Sequence, residues 1–124
     1  VAAVAGRDWA GGMALRDPVT GTIYMTGSGR DIGGSEGDDF NYLSQPANGD
    51  YTVIVHASKI SSSSPHHWSK SGIMFRTNAE EYSAYFAIYL TGGEGICAQG
   101  RQAAGQGYNH WGCVNKGTTE AWLK

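Results

Sequence analysis

Three groups of side chains in this chain have chemistry to offer. The first is aromatic with polar escorts: Tyr85, Tyr89, Tyr108 and Trp111, with Trp68 further off, accompanied by Arg76, Asn109 and Gln106. Rings of this kind stack on the flat apolar faces of sugars while guanidinium and amide groups take up hydroxyls. The same rings explain themselves without a ligand if they fill the space between two sheets. The second group is the run Ser28 to Asp39, SGRDIGGSEGDD, in which Asp31, Asp38 and Asp39, with Ser35, offer oxygen ligands suited to a hard cation such as calcium. It lacks the EF-hand's terminal Glu, and Asp and Gly residues also supply Asx-turns and positive φ with no metal at all. The third group is the cysteine pair, Cys97 and Cys113.

Fifteen residues lie between the cysteines, and a disulfide there would close a loop worth roughly 3 kcal/mol in the chain-entropy picture. It would imply an oxidising compartment; the alternative is two buried free thiols. Neither cysteine belongs to a CxxC pair, so the spacing signals neither a zinc site nor a redox motif.

Catalysis finds little support. Glycoside hydrolysis needs two carboxyl groups about 5 to 10 Å apart across the scissile bond, but Glu80-Glu81 falls in a turn and the acids of residues 31–39 lie outside any expected strand. No G-x-S-x-G, H-E-x-x-H or phosphate-loop pattern occurs. His56 reads as a satisfied strand histidine. His66 and His67 are neighbours that would point to opposite sides of an extended chain and chelate poorly together. The reading is non-catalytic, with no cofactor required and calcium as the one candidate ion.

The elements that must position these residues centre on Trp68 to Leu90, the densest apolar and aromatic stretch. Two runs, Gly72 to Thr77 and Tyr82 to Leu90, flank the polar break Asn78-Ala79-Glu80-Glu81, which predicts a β-hairpin. The second run also places Tyr82, Tyr85, Phe86 and Tyr89 at helical spacing, but its aromatic content suits a strand better. As a strand it carries Tyr82, Ala84, Phe86, Ile88 and Leu90 on one face, expected to be core. Ser83, Tyr85, Ala87 and Tyr89 lie on the other, expected to meet a ligand or a second layer.

Residues 7–20 read as a loop, with Trp9 as a core plug or lid. Strands are expected over Thr22 to Thr26, Phe40 to Gln45, Tyr51 to Ala57, Ile96 to Arg101, Gly107 to Val114 and Thr118 to Lys124. Tyr51 to Ala57, partly apolar on both faces, predicts a central strand covered on both sides. Ser61 to His67 reads as an exposed loop.

A chain of 124 residues is one domain, here residues 1–124 with a loop-rich segment over 1–20. A formal net charge of −2 makes no electrostatic case for nucleic acid. No run approaches the ~20 apolar residues that span a bilayer. Nineteen glycines with scattered Asn, Asp and Ser clusters mark the frequent turns of an all-β domain.

Five blocks of this sequence resemble a known family: Gly27, Gly29, Asp31 and Ile32; Asp39, Phe40 and Tyr42; Gly49 and Asp50; Trp68, Lys70, Gly72, Ile73, Met74 and Arg76; and Trp122, Leu123 and Lys124. The pattern is similar to that of concanavalin A-like, laminin-G-like modules of secreted and surface proteins. The resemblance implies an antiparallel two-sheet jelly-roll sandwich in which Trp68 is buried. It also implies an extracellular module that binds glycan or adheres, or alternatively a building block of a filament, sheath or matrix that meets neighbouring copies of itself. Retaining glucanases of that fold carry an E-x-D-x-x-E run, which is not present here. The family pattern continues past W-L-K, so the resemblance implies a sandwich incomplete within this chain, with an open sheet edge; the cysteine pair is not part of the pattern.

Overall fold

The structure, a computed structural model, describes residues 2–5, 12–34, 37–58 and 66–124; for 2–5 the backbone alone is considered. Trp9, Ser35 and the serine run from Ser61 lie outside the described residues.

The architecture is all-β and antiparallel. Its centre is a four-stranded sheet in the order β6 (Lys70–Arg76), β7 (Tyr85–Thr91), β8 (Ile96–Arg101) and β9 (Asn109–Val114). The expected hairpin is there: Gly72 pairs with Tyr89 and Arg76 with Tyr85, so the aromatic run is a strand and its helical spacing is incidental. Sequential strands joined by short polar turns pair with their neighbours at little loop-closure cost. The turn after β7 is held by the Thr91 hydroxyl, which donates to Gly95 O and accepts from Glu94 N.

Three two-stranded ribbons accompany the sheet. β1 (Ala2–Ala5) pairs with β4 (Phe40–Leu43), β2 (Met13–Arg16) with β3 (Ile23–Thr26), and β5 (Val55–Ser58) with β10 (Glu120–Leu123). β10 approaches β7 and β5 approaches β6, and Leu90 of β7 and Leu123 of β10 are both sealed from solvent.

Two expectations are corrected. Within residues 7–20, Met13–Arg16 is a strand, because Asp17 caps a tight turn that folds it onto β3: its carboxylate accepts from Val19 N at 2.8 Å. The run Tyr51 to Ala57 is not a central strand. Only Val55–Ser58 joins a ladder, a two-stranded one, and Tyr51 and Ile54 are exposed. β-branched content made the segment extended; a second neighbour was needed to bury it.

The disulfide forms between Cys97 and Cys113, directly paired residues of β8 and β9. It borders a small core of Tyr85, Ala87, Tyr89 and Cys97, with Ile32, Met74 and Cys113 packed against it. This core lies on the face of β7 that the sequence assigned to a ligand or second layer, while on the expected core face Leu90 is buried but Phe86 is 43% exposed. What covers the core is the loop around Ile32 and Asp38. It is pinned by Asp38 N to Glu81 O at 3.0 Å and Asp39 N to Asp31 O at 2.8 Å.

Candidate functional site

The two faces of the four-stranded sheet carry different chemistry. On the covered face, Arg76 of β6 and Arg101 of β8 converge on the carboxylate of Asp38, which the loop lowers between them. Arg101 donates from Nη2 to Oδ1 at 2.8 Å and from Nη1 to Oδ2 at 2.9 Å; Arg76 Nη1 donates to Oδ2 at 2.7 Å; Gly33 N donates to Oδ1 at 2.7 Å. All three side chains are nearly sealed from solvent. Burial by itself pushes the Asp38 carboxyl up, but the hydrogen bonds from Arg101, Arg76 and Gly33 outweigh it and hold the group below the usual carboxylate range. The hydrogen bonds to Asp38 likewise raise the Arg101 guanidinium.

Two cations on one anion leave an excess positive charge, and the Tyr85 ring answers it. The Arg101 and Arg76 guanidinium carbons lie 5.2 and 5.8 Å from its centroid, within cation–π range. Gln99 completes the network: its Nε2 donates to Tyr85 OH at 2.7 Å and to Ile32 O at 2.9 Å, and its Oε1 accepts from Tyr89 OH at 2.5 Å. Polar groups this deep are tolerated because they are hydrogen-bonded. Gly33 is required here, because its φ is 86° and a Cβ would meet Tyr108 Cγ and Tyr85 OH, each at 2.7 Å.

On the opposite face the sheet presents rings to solvent. Phe75 of β6 pairs with Phe86 of β7, which pairs with Gly100 of β8. Having no side chain, Gly100 leaves space into which the Trp111 indole of β9 lies; a Cβ there would be 2.9 Å from its Cη2. Trp111 therefore reaches across β8 to Phe86, with ring centroids 5.6 Å apart and planes tilted by 37°. Phe75, Phe86 and Trp111 are 43%, 43% and 54% exposed. Together they form an aromatic strip running across the sheet, and Asn109, paired with Gly100, stands on the same face.

This geometry divides the six predicted ligand-binding residues. Tyr85, Tyr89 and Arg76 belong to the covered network; at 6% and 2% exposure the two tyrosines have no face free for a sugar. Trp111 and Asn109 lie on the open face. Tyr108 is half exposed but belongs to the other side, resting on Gly33. Trp68, expected to be buried, is 38% exposed. Sequence reasoning missed Phe75, Phe86 and Gly100, although Phe75 and Phe86 alternate with Arg76 and Tyr85, and reversing the assignment of faces would have found them.

The candidate calcium carboxylates each meet a protein cation. Asp31 Oδ1 accepts from Lys70 Nζ at 2.6 Å, Asp38 is held as described, and Asp39 Oδ2 lies 3.7 Å from Arg30 Nε. Oδ1 of Asp39 is buried with no hydrogen-bond partner among the described residues. Glu80 and Glu81 line a shallow cavity of about 300 Å³ with Asn78, Tyr82, Ser83 and Ala104. His66 and His67, expected to diverge, meet edge to face with ring centroids 4.7 Å apart.

Fold and site together define an antiparallel all-β domain with one disulfide, an internal carboxylate–diguanidinium network and an open aromatic sheet face. No family model, curated protein or solved structure matches the chain. No helix of the described residues is long and apolar enough to cross a membrane.

Proposed function

We propose that this chain is a non-catalytic, extracellular glycan-binding or adhesion module of the concanavalin A-like jelly-roll class, and that its sugar-binding surface is the strip Phe75, Phe86 and Trp111 with Asn109 at its edge. The observation that carries the reading is the exposure of three aromatic rings from three strands on one face, with Gly100 making room for the largest. Such rings offer wide apolar area at low entropic cost to the C–H faces of pyranose rings, and the Asn109 amide supplies a donor and an acceptor for hydroxyls. The disulfide supports an oxidising location. No calcium is needed to organise this face, since the acidic loop covers the other one.

Affinity electrophoresis through gels containing soluble polysaccharides tests the reading. Retardation by at least one polysaccharide is expected. Trp111→Ala and Phe86→Ala should each weaken it about tenfold, equivalent to roughly 1.4 kcal/mol, while Tyr108→Phe leaves it unchanged. A chain that migrates identically in every gel has no such surface.

A second reading, a building block of an extracellular assembly, is favoured by the β2–β3 ribbon. Met13, Leu15, Ile23, Tyr24 and Met25 on its two faces are all exposed, which is apolar surface of the kind neighbouring chains cover. Light scattering that finds a monomer at high concentration would remove this alternative.

A further inference from the structure

His110 is three residues before Cys113 on β9, an odd separation that places two side chains on opposite faces of a regular strand. A β-bulge changes this. Ala98 pairs with Gly112 but Gln99 pairs with His110, so Trp111 is the extra residue, and Gly112 takes a φ of 103°, which favours glycine. The bulge turns Trp111 to the open face and His110 to the face of Cys97, Gln99 and Cys113. His110 Nε2 comes within 3.7 Å of Cys113 Sγ, and the two sulfurs and a ring nitrogen of His110 all lie within 4.8 Å of one another. Cys97 is buried, Cys113 partly so and His110 exposed, so the trio opens toward solvent on one side. The Trp68 ring stands edge-on to the imidazole, with centroids 6.0 Å apart.

Two thiolates and one imidazole are a donor set that Zn²⁺ binds tetrahedrally, with the fourth position taken by water. Bonds of about 2.3 Å from zinc to each sulfur require the sulfurs to stand roughly 3.8 Å apart. Side-chain rotation can supply that once the covalent bond is gone, because the β8–β9 ladder continues to hold the two backbones in register.

We propose that reduction of the Cys97–Cys113 disulfide opens a zinc site made of Cys97, Cys113 and His110, so that the same corner is crosslinked covalently when oxidised and through metal when reduced. A dithiol reductant transfers two electrons and two protons to the disulfide, leaving two thiols and becoming a disulfide itself. Zn²⁺ then displaces the two thiol protons to solvent and takes the lone pair of neutral His110. Metal and disulfide exclude each other, because both use the same sulfurs.

The test uses the 124-residue chain, reduced under argon with a water-soluble phosphine, which cleaves the disulfide while taking its oxide oxygen from water and competes weakly for metal. Cobalt(II) is titrated as a spectroscopic probe, and zinc affinity is read by competition with a chromophoric chelator. The expected result is one equivalent of cobalt with near-ultraviolet thiolate charge-transfer bands, displacement by zinc, and no such bands from the oxidised chain. His110→Ala and His110→Gln should weaken zinc by at least the roughly 10- to 100-fold that loss of an outer-shell partner costs. Both variants, when oxidised, should keep the wild-type circular dichroism. His66→Ala/His67→Ala, which removes the neighbouring histidines, should bind as the wild type does. The proposal is overturned if the reduced chain shows no charge-transfer bands or if both His110 variants bind zinc as tightly as wild type. It is equally overturned if binding depends on His66 and His67, or if the metal-loaded chain has the circular dichroism of an unfolded one.

Discussion

Asp38 and Arg101, 63 residues apart in the chain, meet in a two-pronged ion pair sealed beneath the acidic loop, with contacts of 2.8 and 2.9 Å. The pair fastens the loop to β8, and Arg76 draws in β6 as well, so one carboxylate ties three segments together.

Replacing that carboxylate by an amide leaves two buried guanidiniums without an anion. Asp38→Asn is expected to cost about 3 to 5 kcal/mol at neutral pH, the range for breaking a buried ion pair from one side. The acid limb follows from the depressed carboxyl. Stability contributed by ionised Asp38 is full above the ordinary aspartate value of 3.8 and is lost as pH falls below it, through the lower folded value. Urea midpoints at neutral pH and at successively lower pH check both points: the wild type should progressively lose this contribution on acidification and Asp38→Asn should not. Equal midpoints for the two proteins at neutral pH would refute a stabilising role for the pair.

Two tyrosines should resist alkaline titration. Burial raises the phenols of Tyr85 and Tyr89, in Tyr85 against the opposing hydrogen bond from Gln99. Because the folded pKa is raised, the stability linked to these groups is present below their ordinary value near 10 and lost as pH climbs through the folded one. Absorbance at the phenolate band should show that two of the seven tyrosines ionise only with unfolding. Tyr89→Phe strands Gln99 Oε1 and should lower stability by about 1 to 3 kcal/mol, read by thermal melting.

Gly100 holds the open face together by being small. A methyl group there would lie 2.7 Å from the Tyr85 carbonyl oxygen and 2.9 Å from the Trp111 indole. Gly100→Ala is expected to destabilise by about 1 to 3 kcal/mol, the usual cost of overpacking, and to lift Trp111 from its seat. A shift in tryptophan emission, with loss of polysaccharide retardation at a temperature where the variant remains folded, is the expected pair of readouts.

Chelation should change little. Asp31, Asp38 and Asp39 are matched by Lys70, the Arg76–Arg101 pair and Arg30 respectively, so the loop has its countercharge from the protein. Melting curves with EDTA and with millimolar calcium are expected to superimpose. A rise in melting temperature with calcium would mean that the ion displaces those cations.

Most of the central sheet was legible in the linear sequence. Alternating apolar runs separated by polar turns specify local antiparallel pairing, and such pairing closes short loops; the expected Ile96 to Arg101 matches its strand to the residue, and the hairpin before it matches to within three residues at each strand end. The two ribbons that join distant segments were harder. β1 with β4 and β5 with β10 pair across long separations, and small residues such as Ala2–Ala5 carry no periodic signal to announce a strand.

The sequence by itself determined the all-β character, the strands of the central sheet and which residues of β7 share a face, because backbone alternation is a local property with a period of two; that Cys97 and Cys113 stand opposite each other and join came from the pairing of β8 with β9. Only the tertiary structure decided which face is covered. Tyr85 and Tyr89 are inside because a loop some fifty residues earlier brings one carboxylate to two arginines, and that compensation makes a polar aromatic face cheaper to bury than its amphipathic pattern suggests. Phe86 lies on the other face because it alternates with Tyr85 and Ala87, and Trp111 joins it there because the β9 bulge turns it that way and Gly100 leaves it room. Periodicity records which side chains are neighbours, whereas burial depends on what the rest of the chain lays over them.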